Sequence, residues 1–209
     1  MTRMKNWSIS ILLAAVMLFG LQSYSSTASL KFAQISDAHF YTGENNTTYK
    51  MVGESPRLLD DAIEQINSTP NVSFVMFTGD QIDKPFEKEL SAFLPHTEKL
   101  NVPWYFAFGN HDTMYGGYLT PRVYMDLVNN YNKNFKFEKS YYSFIPQKGY
   151  KVIVLDTIIR DRLTANGRLG DEQLQWLDNE LANSKKDTVL IFMHVPILEP
   201  FNSPNHRLL

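Results

Sequence analysis

The sequence predicts an α/β domain built on a mixed sheet, and three observations carry that prediction. Short apolar runs alternate with segments of helical periodicity, the pattern of strand–helix–strand units. The segment 74–78 opens with four consecutive apolar residues, as expected of a strand buried on both faces. Late in the chain two β-rich segments flank a turn at 146–149, which adds an antiparallel hairpin to the pattern. The 209 residues are 44% hydrophobic and 20% charged, enough for one domain with a sizeable core and unlike a disordered chain.

Taken in order, the chain opens on a targeting segment. Arg3 and Lys5 precede an apolar run over 9–21 that is broken only by Ser10 and Gly20. That run suits a signal-peptide core and falls short of the roughly 20 residues of a transmembrane helix. Ser26 and Ala28 fit a small-x-small cleavage pattern. Residues 1–28 are therefore expected to be a signal peptide and 30–209 the functional domain. The mature protein is expected to be exported, either secreted or periplasmic, without stable membrane insertion. An uncleaved N-terminal tether is the alternative.

Residues 30–35 read as the first strand. Ser55 and Pro56 then open a helix as cap and first-turn proline, with Leu59, Ala62, Ile63 and Ile66 at helical spacing. The strand at 74–78 is followed by a helix over 84–94 that carries Phe86, Leu90, Phe93 and Leu94 on one side. Residues 104–108 form a third strand. Thr120 and Pro121 repeat the cap-plus-proline signal before a helix with Tyr124, Leu127, Val128 and Tyr131 inward. Segments 141–145 and 150–155 are the hairpin strands. Asp171 is expected to cap a helix with Leu174, Leu177 and Leu181 aligned, and 188–193 is the final strand.

Composition excludes several classes of chemistry. The sequence has no Cys, which removes disulfides, thiolate nucleophiles and sulfur-ligated zinc. A formal net charge of −2 gives no broad electrostatic basis for binding nucleic acid or an anionic membrane. The aromatic residues, 13% of the chain, read as core rather than as base-stacking platforms. Sequons at Asn45, Asn46, Asn67 and Asn71 suit either glycosylation in a eukaryotic secretory pathway or ordinary loop composition.

The informative residues stand just after four strands. Ile35 is followed by Ser36-Asp37-Ala38-His39, and Thr78 by Gly79-Asp80-Gln81-Ile82-Asp83. Phe108 is followed by Gly109-Asn110-His111-Asp112, and Met193 by His194-Val195-Pro196. Sites in α/β folds form where the carboxyl ends of strands converge. Asp37 and His39 are two apart, so on an extended segment both would point to one face. Asp37, His39, Asp80, Asn110 and His194 offer a nitrogen and oxygen donor set suited to Mn, Fe or Zn. A carboxylate such as Asp80 can bridge two metals, which together lower the pKa of water and clamp a phosphoryl group. Two divalent ions, two carboxylates and a hydroxide leave the site at about +1, attractive to phosphate oxygens.

The motifs D-x-H, G-D-x-x-D, G-N-H-D and H-x-P, in this order and each after a strand, resemble the calcineurin-like metallophosphoesterase family from residue 30 onward. The resemblance implies a four-layer α/β/β/α sandwich with mixed sheets around a dinuclear metal site. On that pattern Asp37 and His39 bind the first metal, Asp80 bridges, and Asn110 and His194 bind the second. His111 would protonate the leaving oxygen, oriented by Asp112, and Asp83 would stand behind the ligands. Segment 167–181, with Gly170, Gln173, Trp176 and Leu177, resembles the helix before H-x-P in cyclic-nucleotide phosphodiesterase-like and related exported branches. The family's purple acid phosphatases carry Tyr where Asp83 stands, so no tyrosinate–iron centre is expected.

One element of the pattern is absent: the sequence contains no G-H-x-H, whose two His would complete one metal each. The expectation is a domain truncated at its C-terminus, with each metal left three of four protein ligands. His206 reads as a solvated loop residue rather than a replacement. Asp83 suits a helix cap for the 84–94 segment as well as a place behind the ligands. The segment Tyr115-Gly116-Gly117-Tyr118 reads as a connection, and Arg160, Arg162 and Arg168 as a solvated basic loop. The expected function is hydrolysis of a small phosphoester by two divalent metals and a bridging hydroxide. The alternative is a binding module on the same scaffold, without catalysis.

Overall fold

The computed structural model describes residues 29–113, 116–198 and 207–208. The expected signal peptide, Tyr115 and His206 lie outside the described residues. Strand β1 (Phe32–Ile35), β2 (Phe74–Phe77) and β3 (Trp104–Phe106) pair in sequence order, all parallel. Ile35 lies opposite Phe77, and Phe77 opposite Phe106. The three strands thus end level, and the chain leaves the sheet three times along one edge.

A second sheet holds β4 (Tyr142–Gln147), β5 (Tyr150–Val154) and β6 (Thr188–Phe192). β4 and β5 are antiparallel across a turn in which Gly149 has φ +87°, while β6 joins β5 in parallel. The parallel and antiparallel pairings expected of a mixed sheet are therefore divided, one sheet being wholly parallel and the other mixed. Connection length decides this: helical crossovers return strands in parallel, and a two-residue turn cannot.

Among the described residues the α-helices are α1 (Ser55–Ser68), α2 (Glu87–Thr97), α3 (Pro121–Tyr131) and α4 (Asp171–Asn183). None of the described helices is long and apolar enough to cross a membrane. In α1, Leu59 and Ile63 are buried as the periodicity requires. Ser55 is not its cap but its first residue. Its hydroxyl donates to Val52 O (2.6 Å) and accepts from Tyr41 N–H (3.0 Å), tying the preceding 3-10 turn (Val52–Glu54) to the loop after β1. Helix α2 starts three residues later than the apolar spacing suggests, because Pro85 disfavours helical backbone at Lys84. In α3 the Thr120 hydroxyl accepts from Val123 N–H at 3.3 Å, as expected of a cap, and Tyr124 and Val128 are buried.

Helix α4 departs most from its sequence pattern. Gly170 occupies the cap position and Asp171 is already helical. Leu174 and Leu181 are exposed, while Gln173 is buried. The Gln173 amide accepts from Asp156 N–H and donates to Asp156 O, both at 2.8 Å, and this pair of bonds sets the helix rotation.

Aromatic packing joins the two sheets. Phe74 stacks on Phe32 with centroids 5.3 Å apart and meets Phe144 edge-on at 5.4 Å. Tyr105 of β3 stacks on Phe144 of β4 at 3.6 Å. Most of the aromatic residues of the two sheets are core, while Tyr49 and Tyr118 are exposed. The free edge of β3 is closed by side chains: the buried Tyr142 hydroxyl donates to Phe106 O (2.6 Å) and accepts from Phe106 N–H (3.0 Å). Asn132 Nδ2 donates to Trp104 O at 2.8 Å on the same strand. Blocking an edge in this way satisfies backbone groups and denies them to another strand. Tyr142→Phe should leave Phe106 N–H and C=O without that partner and cost about 1–3 kcal/mol in urea unfolding, with secondary structure unchanged.

Candidate metal centre

The loops leaving β1 and β2 continue the parallel pairing beyond the sheet. Asp37 N–H donates to Gly79 O (3.1 Å), His39 N–H to Asp80 O (2.9 Å) and Phe40 N–H to Gln81 O (2.9 Å). Within this zipper Asp37, His39 and Asp80 take left-handed backbone, with φ of +54°, +42° and +52°, and Gly79 takes +101°. Asp37 and His39 therefore share a face for a different reason than an extended segment would give. Left-handed backbone at three non-glycine residues is costly, and such residues collect at functional sites.

Asp80 lies at the centre and is 4% exposed. Its Oδ1 accepts from His111 N–H at 2.8 Å and lies 3.6 Å from His194 Nε2. Its Oδ2 lies 3.7 Å from His39 Nε2. His194 Nδ1–H donates to Thr78 O (2.9 Å), so Nε2 carries the lone pair, and it faces Asn110 Oδ1 at 3.2 Å. Two glycines make room. A Cβ on Gly79 would sit 2.3 Å from the His194 ring, and one on Gly109 would sit 2.0 Å from Asp80 N and 2.1 Å from Asp80 Oδ1.

His39 is held from behind by Asp83. Its Nδ1 lies 3.2 Å from Asp83 Oδ1, which leaves Nε2 facing Asp80 and, at 3.9 Å, Asp37 Oδ1. Burial holds the His39 imidazole below its usual pKa, which favours the neutral, ligating form. The Ser36 hydroxyl donates to Asp37 Oδ2. Lys50, in the loop between β1 and α1, places Nζ 3.3 Å from His39 Nε2 and 3.5 Å from Asp83 Oδ1. No motif marks Lys50, because its role comes from the path of a loop rather than from a strand end.

His111 Nδ1–H donates to the Asp83 backbone carbonyl at 2.7 Å. The His111 ring meets His39 edge-on with centroids 4.7 Å apart. Asp112, expected to orient His111, does other work. It is fully buried, and its carboxylate accepts from Gly109 N–H (2.8 Å) and Ile82 N–H (3.2 Å), pinning the β2 and β3 exit loops together. Burial and the neighbouring Asp80 carboxylate push the Asp112 pKa well up.

The ligating atoms of His39, Asp80 and His111 fall within 4.8 Å of one another, as do those of Asp37, Asp80 and His194. The structure thus gathers Asp37, His39, Asp80, Asn110, His111 and His194 at one place, with Asp80 common to both groups. His194 Nε2 and Asn110 Oδ1 are two acceptors in contact, beside carboxylate oxygens, and such a donor set fits cations. The arginines sort differently from the solvated loop expected of them. Arg160 is half-buried, forks onto Asp156 at 2.9 and 3.1 Å and donates to Thr113 Oγ1 at 2.9 Å. Arg168 pairs with Asp161 on the surface. Arg162 lines a cavity of about 290 Å³ that also touches Asn110 and His111.

Comparison with known proteins agrees with this arrangement. The chain is 27% identical over 165 residues to a probable glycerophosphodiester phosphodiesterase of Arcobacter nitrofigilis, covering 78% of this chain and 56% of that protein. It is 26% identical to a manganese-dependent ADP-ribose/CDP-alcohol diphosphatase of Arabidopsis thaliana, over 85% of this chain and 68% of that one. It is also 26% identical to human tartrate-resistant acid phosphatase type 5, over 93% and 64%. The chain thus spans between about half and two thirds of these relatives' length. A crystal structure of a dimetal phosphatase from Danio rerio shares the fold, with a TM-score of 0.61 at 20% identity over 81% of this chain and 70% of that one. Residues 30–207 match the calcineurin-like phosphoesterase family, and the chain belongs to it.

Proposed function

We propose that the protein is an exported hydrolase of small phosphoesters that works with two divalent cations. The observation that carries this reading is Asp80, one buried carboxylate shared by two groups of converging ligands. The named activities of its relatives, a phosphodiesterase, a diphosphatase and a phosphatase, support the same chemistry. Cations held by Asp37, His39, Asp80, Asn110 and His194 would supply a nucleophile from water at neutral pH and positive charge for the phosphoryl oxygens. The donor set suits Mn, Fe or Zn.

The chain's own residues supply the rest. The Asp83 carbonyl fixes the His111 ring through Nδ1, so Nε2 is the nitrogen that exchanges a proton with the leaving oxygen. The 290 Å³ cavity beside Asn110 and His111 has room for the departing group, with Arg162 and Thr164 in its wall. Asp83 adds a negative charge that the site arithmetic omits, and Lys50 offsets it at 3.5 Å. The excess positive charge that attracts a phosphoester is therefore kept.

Asp80→Ala should abolish both turnover of an aryl phosphate with Mn²⁺ and metal loading measured by elemental analysis. His111→Ala should cut turnover by about 100- to 10,000-fold while metal content stays near normal. Loss of metal from the His111 variant would instead make it a ligand alongside His39 and Asp80. Wild-type rates in both variants would show that the site is not catalytic. Gly109→Ala should cost about 1–3 kcal/mol of stability by overpacking and weaken metal binding, because backbone and carboxylate of Asp80 stand in the path of the new Cβ. Export is tested by sequencing the N-terminus of the secreted form, which should begin at Ser29. A start at Met1 would identify the tethered form.

A further inference from the structure

Asp37 and His39 face more than the cation ligands. They also line a second cavity, of about 330 Å³, whose walls are Ile35, Val52, Leu59 and Ala62, with Met51 and Leu58 at the rim. Met51 and Leu58 are 62% and 44% exposed, an apolar surface directly beside a polar site. Lys50 is the one cationic side chain in this lining, and its ammonium stands 3.3 Å from His39 Nε2, on the seam between cavity and ligand cluster.

The wall is held in place before any ligand arrives. Thr42 N–H and hydroxyl donate to the buried Glu89 carboxylate at 2.7 and 2.8 Å, and Tyr41 N–H donates to Ser55 Oγ at 3.0 Å. These bonds anchor the loop that carries Lys50, Met51 and Val52. A preformed apolar cavity with a few polar groups at one end is the usual form of a small-molecule subsite, and preorganisation lowers the cost of filling it.

We infer that this cavity is a subsite for an apolar aryl or alkyl group that stays on phosphorus, the departing group lying in the other cavity beside His111. The phosphoryl group lies at the ligand cluster, Lys50 faces one of its anionic oxygens, and the apolar substituent enters between α1 and the loop after β1. The inference rests on the phosphoester reading for the phosphoryl group, and it does not require turnover.

Calorimetry on the Mn²⁺-loaded full chain tests it, with phenylphosphonate and methylphosphonate as non-hydrolysable probes. Phenylphosphonate should bind at least about tenfold more tightly, the scale on which apolar pockets discriminate. Leu58→Gln, on the exposed face of α1 where folding is not at risk, and Ala62→Phe, which fills the cavity, should each reduce that preference below about threefold. Equal affinity for the two probes, no binding of either, or a preference unchanged in both variants would overturn the subsite. A preference for phenylphosphonate without hydrolysis of any aryl phosphate would overturn the hydrolase reading and leave the subsite standing.

Discussion

A buried carboxylate must be compensated, and the arrangement around Asp80 follows from that constraint. The side chain is almost wholly shielded from water, yet among the described residues it receives one backbone N–H, from His111. The other groups facing it are His39 and His194, each with its protonated nitrogen turned away to a separate acceptor. Apart from the Lys50 ammonium beside His39 Nε2, the groups pointing inward are lone pairs and a negative charge. An apolar core or a salt bridge would not be built this way, because each would leave acceptors facing acceptors. Cations complete the balance, and the loops around Asp80 are shaped to keep it accessible to them.

That shape is obtained at the cost of backbone strain. Asp37, His39 and Asp80 occupy left-handed conformations that each cost roughly 1–3 kcal/mol in a non-glycine residue. The cost is offset locally. The zipper of Asp37, His39 and Phe40 N–H groups onto Gly79, Asp80 and Gln81 carbonyls carries the parallel ladder past the end of the sheet. Asp112 then clamps the third exit loop to the second through Gly109 and Ile82 N–H, and Gln81 Nε2 donates to Ala107 O at 2.9 Å. The strained residues are held by bonds on both sides, so the ligands are placed by the sheet register rather than by their own rotamers. Level strand ends in the sheet become level ligands in the site.

Much of this was legible in the sequence, for an identifiable reason. Ligands that follow strands directly inherit their positions from hydrophobic runs, and such runs are easy to read. The loops that bring Asp37, His39, Asp80, Asn110 and His194 together were read in that way, and so were β1 to β6. What escaped depends on three-dimensional pairing. Lys50 reaches the site because a loop is folded back by Glu89 and Ser55, two residues with no motif between them. Arg160 is claimed by Asp156, four residues earlier, in a segment with no helical periodicity to announce the pair. Helix α4 rotates to satisfy the Asp156 backbone through Gln173, overriding an apolar row that looked decisive. The bonds of Asp112 to Gly109 and Ile82 N–H are of the same kind, since adjacency to His111 in sequence does not announce them.

Asp83 orients two histidines in different ways. Its carboxylate lies behind His39 Nδ1, and its backbone carbonyl accepts from His111 Nδ1–H. A carboxylate behind an imidazole raises the basicity of the opposite nitrogen and makes it a stronger cation ligand. A neutral carbonyl orients the His111 ring just as firmly without placing a charge behind it. Lys50 adds a further adjustment, since its ammonium draws on the same Asp83 oxygen that supports His39. The two rings are thus oriented from a single position, by which of its oxygens each one meets.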